Sequence, residues 1–206
     1  MPAAAPDHQP RAAPIAVRPA ALADAPGLAR VVVDTDWAVA TAWAPADPRP
    51  RAEQYAESER NWRRAFGELA AAPAGRERIF AAVEAGGMDG REGIVGVAMG
   101  GPRRLPAGRF GAYAGEVYLL VVRVTHQRRG LGRRLVGAVF RHLVGADLAS
   151  AVIECVTVNT PARRFYEALG GHVAGEHHVD VEGTRQPSTV YGWTPAAVEA
   201  LVRQRE

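Results

Sequence analysis

The chain has 206 residues, of which 48% are hydrophobic and 23% are charged, so it is long and apolar enough to bury the core of one globular domain. Its net charge of +3 reflects 25 basic residues interleaved with 22 acidic ones, without the stacking or groove-reading motifs that accompany nucleic-acid binding. The single cysteine, Cys155, excludes an intrachain disulfide and a cysteine-rich metal centre, and is typical of a protein of the reducing cytoplasm.

The N-terminal half of the chain predicts a short tail and then the antiparallel start of a sheet. Residues 1–14 are rich in proline and alanine and predict a disordered tail, which leaves residues 15–206 for a single domain. The elements predicted next are a strand at 15–18, a helix that begins at 24–26, a turn-forming stretch at 35–50, a helix at 51–72, and strands at 78–84 and 93–100. A glycine-rich turn joins the last two strands, so we expect a hairpin. No segment is long and apolar enough to span a membrane.

Three tryptophans lie in this half of the chain. Trp62 has helical spacing with Phe66 and Leu69, which favours packing in the core. Trp37 and Trp43 lie in the turn-forming stretch, and the pattern leaves open whether they pack in the core or line a substrate site.

The centre of the chain predicts a strand, an anion-binding loop and a helix in direct succession. The strand at 118–124 is rich in β-branched and aromatic residues and suits burial on both faces. The loop Gln127-Arg128-Arg129-Gly130-Leu131-Gly132 leads into a helix whose apolar residues recur at a spacing near 3.6 and which ends at Gly145. Glycines let the backbone approach a ligand, and the first N–H groups of a helix lie unpaired at the positive end of its dipole. Such a loop suits a pyrophosphate, although its spacing matches neither the P-loop nor the dinucleotide fingerprint.

A second strand and helix follow. Residues 151–158 are an apolar run of strand length, in which Cys155 is predicted to be buried and unreactive. Thr160 is a good N-cap and Pro161 suits the first helical position, so we expect a helix that ends at Gly170-Gly171. The connection through the preceding helix predicts a right-handed βαβ unit with parallel strands.

Two strands and a short helix are predicted to close the fold. The strands lie at 172–181 and 189–193, around a turn at Glu182-Gly183, and the helix lies at 196–203. His177 and His178 are adjacent on a strand and so point to opposite faces, and no spaced carboxylate or thiolate completes a site, so we predict no metal. The closing strands should end at a sheet edge, from which we expect a homodimer.

Three segments together carry a resemblance to a known family. They are a strand that ends Val122-Arg123-Val124, the loop at 127–132, and the run N-x-x-A-R-R-F-Y-E-A-L-G at 159–170. This combination resembles the GNAT superfamily of acetyl-CoA-dependent N-acyltransferases, and the likeness covers most of the chain after the first dozen residues. The resemblance implies an α/β fold with a mixed, largely antiparallel sheet and a central parallel β-α-β unit. Gly171 departs from the family pattern, which often has an aromatic residue there.

The resemblance also implies which residues bind acetyl-CoA. The main chain at Val122 and Val124 would pair with the pantetheine arm like an added strand, and the N–H groups of the loop would hold the pyrophosphate. Asn159 either hydrogen-bonds the pantetheine amides or only caps the helix. The full predicted set of cofactor-binding residues is Val122, Val124, Gln127, Arg128, Arg129, Gly130, Leu131, Gly132, Asn159, Ala162 and Tyr166.

Acetyl transfer to an amine needs the amine neutral and the departing thiolate protonated. Tyr166 stands where GNAT enzymes present a phenol near the thioester sulfur, and as general acid it would protonate the thiolate. Glu116 precedes the strand that leads to the loop and is a candidate for the base; a surface charge at a strand end is the alternative. Tyr118, on the same strand face, is a second candidate for the base. The candidates for substrate binding are Trp37, Trp43 and Tyr118.

The sequence therefore predicts an enzyme that moves an acetyl group from acetyl-CoA to a primary amine, on a small molecule or a peptide N-terminus, by direct transfer in a ternary complex. A second hypothesis is a GNAT-like module that binds acyl-CoA as a sensor without turnover. A third, a nucleotide-binding α/β protein, is poorly served by the antiparallel opening and closing strands. Nothing in the sequence identifies the amine.

Overall fold

The computed structural model describes residues 14–39, 47–72, 75–86, 93–181 and 183–203, without the side chains of Trp37 and Val39. Residues 1–13 of the predicted tail and residues 87–92 of the predicted hairpin turn lie outside the described residues. None of the described helices is long and apolar enough to cross a lipid bilayer.

Seven strands form one sheet. They are β1 (Ile15–Pro19), β2 (Arg78–Glu84), β3 (Gly93–Pro102), β4 (Gly115–Val122), β5 (Ala151–Val156), β6 (His172–Val181) and β7 (Thr184–Trp193). Their order is β1-β2-β3-β4-β5-β7-β6, and every neighbouring pair is antiparallel except β4 and β5, which are parallel. The predicted mixed sheet with a central parallel pair is therefore confirmed, and β6 forms one edge of it.

Helices pack on both faces of this sheet. They are α1 (Ala25–Val39), α2 (Arg51–Ala71), α3 (Ala107–Phe110), α4 (Leu131–Gly145), α5 (Thr160–Ala168) and α6 (Pro195–Arg203). On what we call the α1 face, Leu28 of α1 and Trp62 of α2 share a core cluster with Val97 and Val121 of the sheet, which confirms the core position predicted for Trp62. The opposite face, the α4 face, carries the core that α4, α5 and α6 cover. Helix α4 contributes the apolar residues that the 3.6-residue period predicts: Leu131, Leu135, Val136, Val139, Phe140 and Leu143.

Most predicted boundaries agree with the structure within a few residues, and three departures have a physical reason. Helix α1 continues to Val39 through part of the stretch predicted as turns, because no proline or glycine follows Gly27 in this helix. Strand β7 begins at Thr184, five residues before the predicted start. Its first half pairs with β6 but is polar, so it lacks the apolar alternation by which a strand is recognised in sequence. The one-turn helix α3 was not predicted.

Strands β4 and β5 separate halfway along their length. Their parallel pairing stops at Val117 opposite Ile153, whereas β4 continues to Val122 against β3 and β5 continues to Val156 against β7. Within the described chain, the facing main-chain edges of residues 118–122 and 154–156 therefore have no strand partner, and we call the gap between them the β4–β5 cleft. The register of β3 and β4 shifts between Met99 and Gly100, which makes Tyr118 the extra residue of a β-bulge at the point of separation.

Candidate active site

The loop between β4 and α4 has the conformation of an anion-binding loop. Arg128 and Gly130 have positive φ angles of 60° and 78°, so the chain turns sharply and α4 begins directly at Leu131. The first turn of α4 contains no acidic residue, and a Cβ atom built on Gly130 would meet no other atom within 4 Å. A Cβ on Gly132 would lie 3.1 Å from the ring of Phe165, so α5 packs closely against the start of α4. The unpaired N–H groups at the start of α4 face the open space beyond the loop, and this arrangement suits the binding of a phosphate group.

The four arginines around this loop differ in their surroundings. Arg128 and Arg129 are exposed beside it. The guanidinium of Arg134 donates to a main-chain carbonyl of β1 at 2.9 Å, and that of Arg133 approaches a main-chain carbonyl of α5 at 3.5 Å. Arg133 and Arg134 therefore connect α4 to its neighbours, and Arg128 and Arg129 are the better candidates for contact with a phosphate.

The strand that leads into the loop ends at Val122. Val124 lies in the 3-10 turn Val124–His126 and is 47% exposed, so it stands outside the strand that was predicted to include it. The side-chain amide of Gln127 donates to the carbonyl oxygen of Val122 at 2.9 Å. The last carbonyl of β4 is thus open to a polar group that does not belong to the sheet.

Asn159, rather than Thr160, caps α5. Its Oδ1 accepts a hydrogen bond from the N–H of Ala162 at 3.2 Å, and Pro161 is the second helical residue. The cap is one residue earlier than predicted, within the usual uncertainty of helix ends. Because the oxygen of Asn159 serves the helix, its amide nitrogen is the atom that remains to donate to a ligand.

Tyr166 lies on the inner side of α5 with only 6% of its surface exposed. Its ring packs against Phe165, Tyr191 and Trp193, with 5.4, 5.7 and 6.3 Å between ring centroids. Its hydroxyl makes no hydrogen bond within the described part of the chain. Burial raises the pKa of this phenol well above its ordinary value, and the nearby Cys155 thiol on β5 adds to the rise. The phenol therefore stays protonated at neutral pH and can donate a proton next to the diverging half of β5.

Glu116 is the second residue of β4 and is 8% exposed. Its Oε2 accepts hydrogen bonds from the N–H groups of Arg104 at 2.7 Å and Leu105 at 2.9 Å. The carboxylate therefore orders the segment that follows β3. It lies before the point where β4 and β5 separate, at the end of β4 away from the loop.

Tyr118 lies at the bulge, at the start of the β4–β5 cleft. Its hydroxyl donates to the carbonyl of Pro102 at 2.5 Å and lies 3.2 Å from Oε1 of Glu77 as a second acceptor. The guanidinium of Arg104 stacks 3.7 Å from its ring centroid. Burial first, and then the negative charge of Glu77, raise the pKa of this phenol well above its ordinary value. A phenolate is therefore rare at neutral pH, and the geometry favours a contact role for Tyr118 over that of a base.

A carboxylate–imidazole pair, which was not predicted from the sequence, lies at the cleft. Glu154 is the first residue of β5 beyond the last parallel pair, and by strand alternation with Ile153 its side chain lies on the face opposite α4. Nε2 of His177 on β6 contacts Oε1 of Glu154, and solvent does not reach either atom. The ring of Phe110 in α3 lies 5.9 Å from that of His177. Glu154 is the one charged residue in the apolar run at 151–158, which is the signal that the sequence carries, but its partner on β6 is distant in sequence.

The remaining predicted residues are the two tryptophans. Trp43 lies outside the described residues, and of Trp37 only the backbone, within α1, is described. Among the residues that are described, no group of three or more His, Cys, Asp or Glu side chains is placed to bind a metal ion.

The diverging parallel pair inside an otherwise antiparallel sheet, with a glycine loop and a helix N-terminus beside it, defines the fold class of the GNAT acetyltransferases. Residues 94–179 match the family model of the FR47-like proteins. The comparison with curated proteins gave no match.

Solved structures extend the likeness to most of the chain. A GNAT-family protein from Desulfovibrio desulfuricans is 20% identical with a TM-score of 0.62, over 88% of this chain and 99% of that one. The ribosomal-protein-S5-alanine acetyltransferase from Vibrio fischeri is 16% identical with a TM-score of 0.63, over 87% and 92%. NAA60 from Arabidopsis thaliana, in complex with acetyl-CoA, is 18% identical with a TM-score of 0.59, over 87% and 98%. The family match and the shared fold confirm the predicted resemblance to the GNAT superfamily.

Proposed function

We propose that this protein is an N-acetyltransferase that moves an acetyl group from acetyl-CoA to a primary amine by direct transfer in a ternary complex. The observation that carries the proposal is the β4–β5 cleft, which joins the anion-binding loop of α4 to the buried phenol of Tyr166. Within the described residues no strand fills its main-chain edges. Acetyl-CoA would bring an amide-containing arm, a pyrophosphate and a thioester to this cleft. The chain offers a partner for each.

The residues fit acetyl-CoA in the following way. The N–H groups of residues 128–132 would hold the pyrophosphate, with Arg128 and Arg129 beside them. The main chain at Val122 and Val124 would pair with the pantetheine arm as an added strand does, Val124 from the 3-10 turn rather than from the strand itself. The amide nitrogen of Asn159 would donate to an arm carbonyl, and Ala162 lines the same side.

The chain's own proton-transfer groups stand on opposite faces of the sheet. Tyr166, on the α4 face, would protonate the departing thiolate from its position beside Cys155 of β5. Glu154, on the other face and in contact with His177, would accept the amine proton directly or through a water. The geometry favours Glu154 over Glu116 as this base, because two main-chain N–H groups already engage Glu116 before the strands separate.

Two further features of the proposal concern the partners. The acceptor is an amine of a small molecule or a peptide N-terminus. The likeness to the Vibrio fischeri protein, which is named as a ribosomal-protein-S5-alanine acetyltransferase, favours the peptide. The exposed edge strand β6, whose Val173 is 51% exposed, is where a second copy of the chain would pair to form a homodimer.

Calorimetry and a thiol-release screen of amines test the proposal together. Gly130→Asp places a carboxylate at the helix N-terminus, and Gly130→Asn is its matched control, because both residues tolerate a positive φ and differ in charge. We expect Gly130→Asp to weaken acetyl-CoA binding at least tenfold relative to Gly130→Asn, by repulsion of the phosphates. Equal affinities for the two variants would refute the loop assignment. An acyl-CoA sensor would bind acetyl-CoA but release no thiol with any amine.

A further inference from the structure

Two buried polar atoms on one side of the sheet have no hydrogen-bond partner among the described residues. They are Nε of Arg123 and Oγ1 of Thr35. Buried donors are nearly always paired in native proteins, and one without a protein partner calls for an explanation such as a ligand. The proton-transfer groups and the cosubstrate loop use neither side chain.

Arg123 directly follows β4, on the side of the sheet away from the loop of α4. Its N–H donates to the carbonyl of Val95 at 2.9 Å, so the pairing with β3 reaches one residue past the end of β4. Its side chain therefore lies on the same face as Val121, which belongs to the core of the α1 face. The guanidinium thus faces the side from which an acceptor would approach, whereas the anion-binding loop leads to the α4 face.

Thr35 lies on the same buried stripe of α1 as two residues of that core. Leu28 and Val31 precede it by seven and four residues and share the cluster with Val121. Thr35 is 8% exposed, so its hydroxyl is directed into this side of the molecule rather than into solvent. The acid next to it, Asp34, already accepts a hydrogen bond from Tyr55 at 2.5 Å. The two unpaired side chains therefore lie on the same face of the sheet, the α1 face.

We propose that Arg123, with Thr35, binds an anionic side chain of the acceptor, and that the acceptor is a peptide N-terminus with an acidic residue a few positions along. The inference rests on the proposed function and names the substrate class of that same site. A guanidinium binds a carboxylate with charge-assisted hydrogen bonds, and a threonine hydroxyl adds a donor.

The spacing along β4 sets where the acidic residue must lie. Tyr118 marks the start of the cleft, and Arg123 follows five residues later, about 16 Å away at the rise of a strand. The arginine side chain and that of the acidic residue together span roughly 6 to 9 Å of this distance, estimated from side-chain dimensions on the scale of backbone bonds. An extended peptide covers the remaining distance of roughly 7 to 10 Å at about 3.4 Å per residue, which places the acid at the third or fourth position. A carboxylate next to the reacting amine would be too close to reach Arg123.

The test uses alanine pentapeptides with one aspartate, or the isosteric asparagine, at the second, third, fourth or fifth position. For the wild-type protein we expect kcat/KM for aspartate to exceed that for asparagine by about tenfold or more at the third or fourth position, and to match it at the second. Arg123→Gln should bring this ratio to about one, Arg123→Lys should retain part of it, and Thr35→Val should lower it. Arg60→Gln is the matched control, since this arginine is exposed on α2, and it should leave the ratio unchanged.

Three results would overturn the inference. They are equal rates for aspartate and asparagine peptides with the wild-type protein, an undiminished ratio in Arg123→Gln, and a rise in the KM for acetyl-CoA in Arg123→Gln, which would assign the arginine to the cosubstrate. If no acceptor releases thiol, the proposed function fails. Calorimetric titration of the same peptides into the protein with CoA then still tests whether Arg123 binds an acidic side chain, because the affinities of the aspartate and asparagine peptides can be compared in the same way.

Discussion

Replacement of Tyr166 by phenylalanine separates chemistry from packing at the cleft. The variant keeps the ring and its contacts with Phe165, Tyr191 and Trp193, and removes only the hydroxyl. If the phenol protonates the departing thiolate, kcat should fall by about a hundredfold to ten-thousandfold, which corresponds to about 3–5 kcal/mol in the barrier. The affinity for acetyl-CoA should change little.

The stability of this variant should hardly change, because the hydroxyl has no hydrogen-bond partner in the described part of the chain. Tyr191→Phe is the matched control in the same aromatic cluster. The hydroxyl of Tyr191 accepts from Arg163 at 3.1 Å and donates to Glu167 at 2.9 Å, so its removal should lower the free energy of unfolding by about 1 kcal/mol without the loss of turnover.

Single-turnover kinetics with acetyl-CoA and thermal unfolding of both variants measure these effects. We expect opposite patterns: lost turnover with unchanged stability for Tyr166→Phe, and retained turnover with reduced stability for Tyr191→Phe. Full turnover in Tyr166→Phe with a good amine would refute the role of the phenol as general acid. Water or another group would then have to protonate the thiolate.

The remaining predictions concern the base, the cysteine and the assembly. Glu154→Gln should lose most activity at low pH, where the amine is protonated, and should recover partly as pH rises. Glu116→Gln should mainly lower the free energy of unfolding, by about 1–2 kcal/mol, because the carboxylate binds two main-chain N–H groups. The reverse pattern would return the role of base to Glu116. Burial raises the pKa of the Cys155 thiol to about 11. In the unfolded chain the thiol ionises at lower pH, so the free energy of unfolding should fall as pH rises from about 9 towards 11. The fall should be about 1–2 kcal/mol larger than in Cys155→Ala, measured by denaturant titrations at several pH values. Light scattering should give twice the protomer mass, and a mass near 22.0 kDa at micromolar concentration would exclude the homodimer.

The sequence predicted well those features that depend on local pattern. The loop at 127–132 and helix α4 agree with the structure because glycine positions and a 3.6-residue apolar period are properties of one short segment. The parallel pairing of β4 with β5 followed from their connection through that helix.

The features that local pattern missed depend on contacts between distant segments. The role of Glu116 as a loop anchor requires the N–H groups of Arg104 and Leu105, which the sequence does not place beside it. The pairing of Glu154 with His177 depends on the order β5-β7-β6, in which two strands adjacent in sequence exchange their expected order. Strand order is set by the whole sheet, so no window of sequence reports it.

Gly171 shows how the packing around Tyr166 compensates for a departure from the family pattern. A Cβ atom built on Gly171 would lie 2.6 Å from the indole ring of Trp193, so this position has no room for the aromatic residue that the family often has there. The indole of Trp193 lies there instead, held by a hydrogen bond from its Nε1 to the carbonyl of Leu169 at 3.0 Å, and it packs edge-on against Tyr166 and Phe140. An aromatic ring is thus supplied by β7 rather than by the end of α5. Because the buried ring of Tyr166 is held by this neighbour, its hydroxyl keeps a fixed position beside β5, which a proton donor requires.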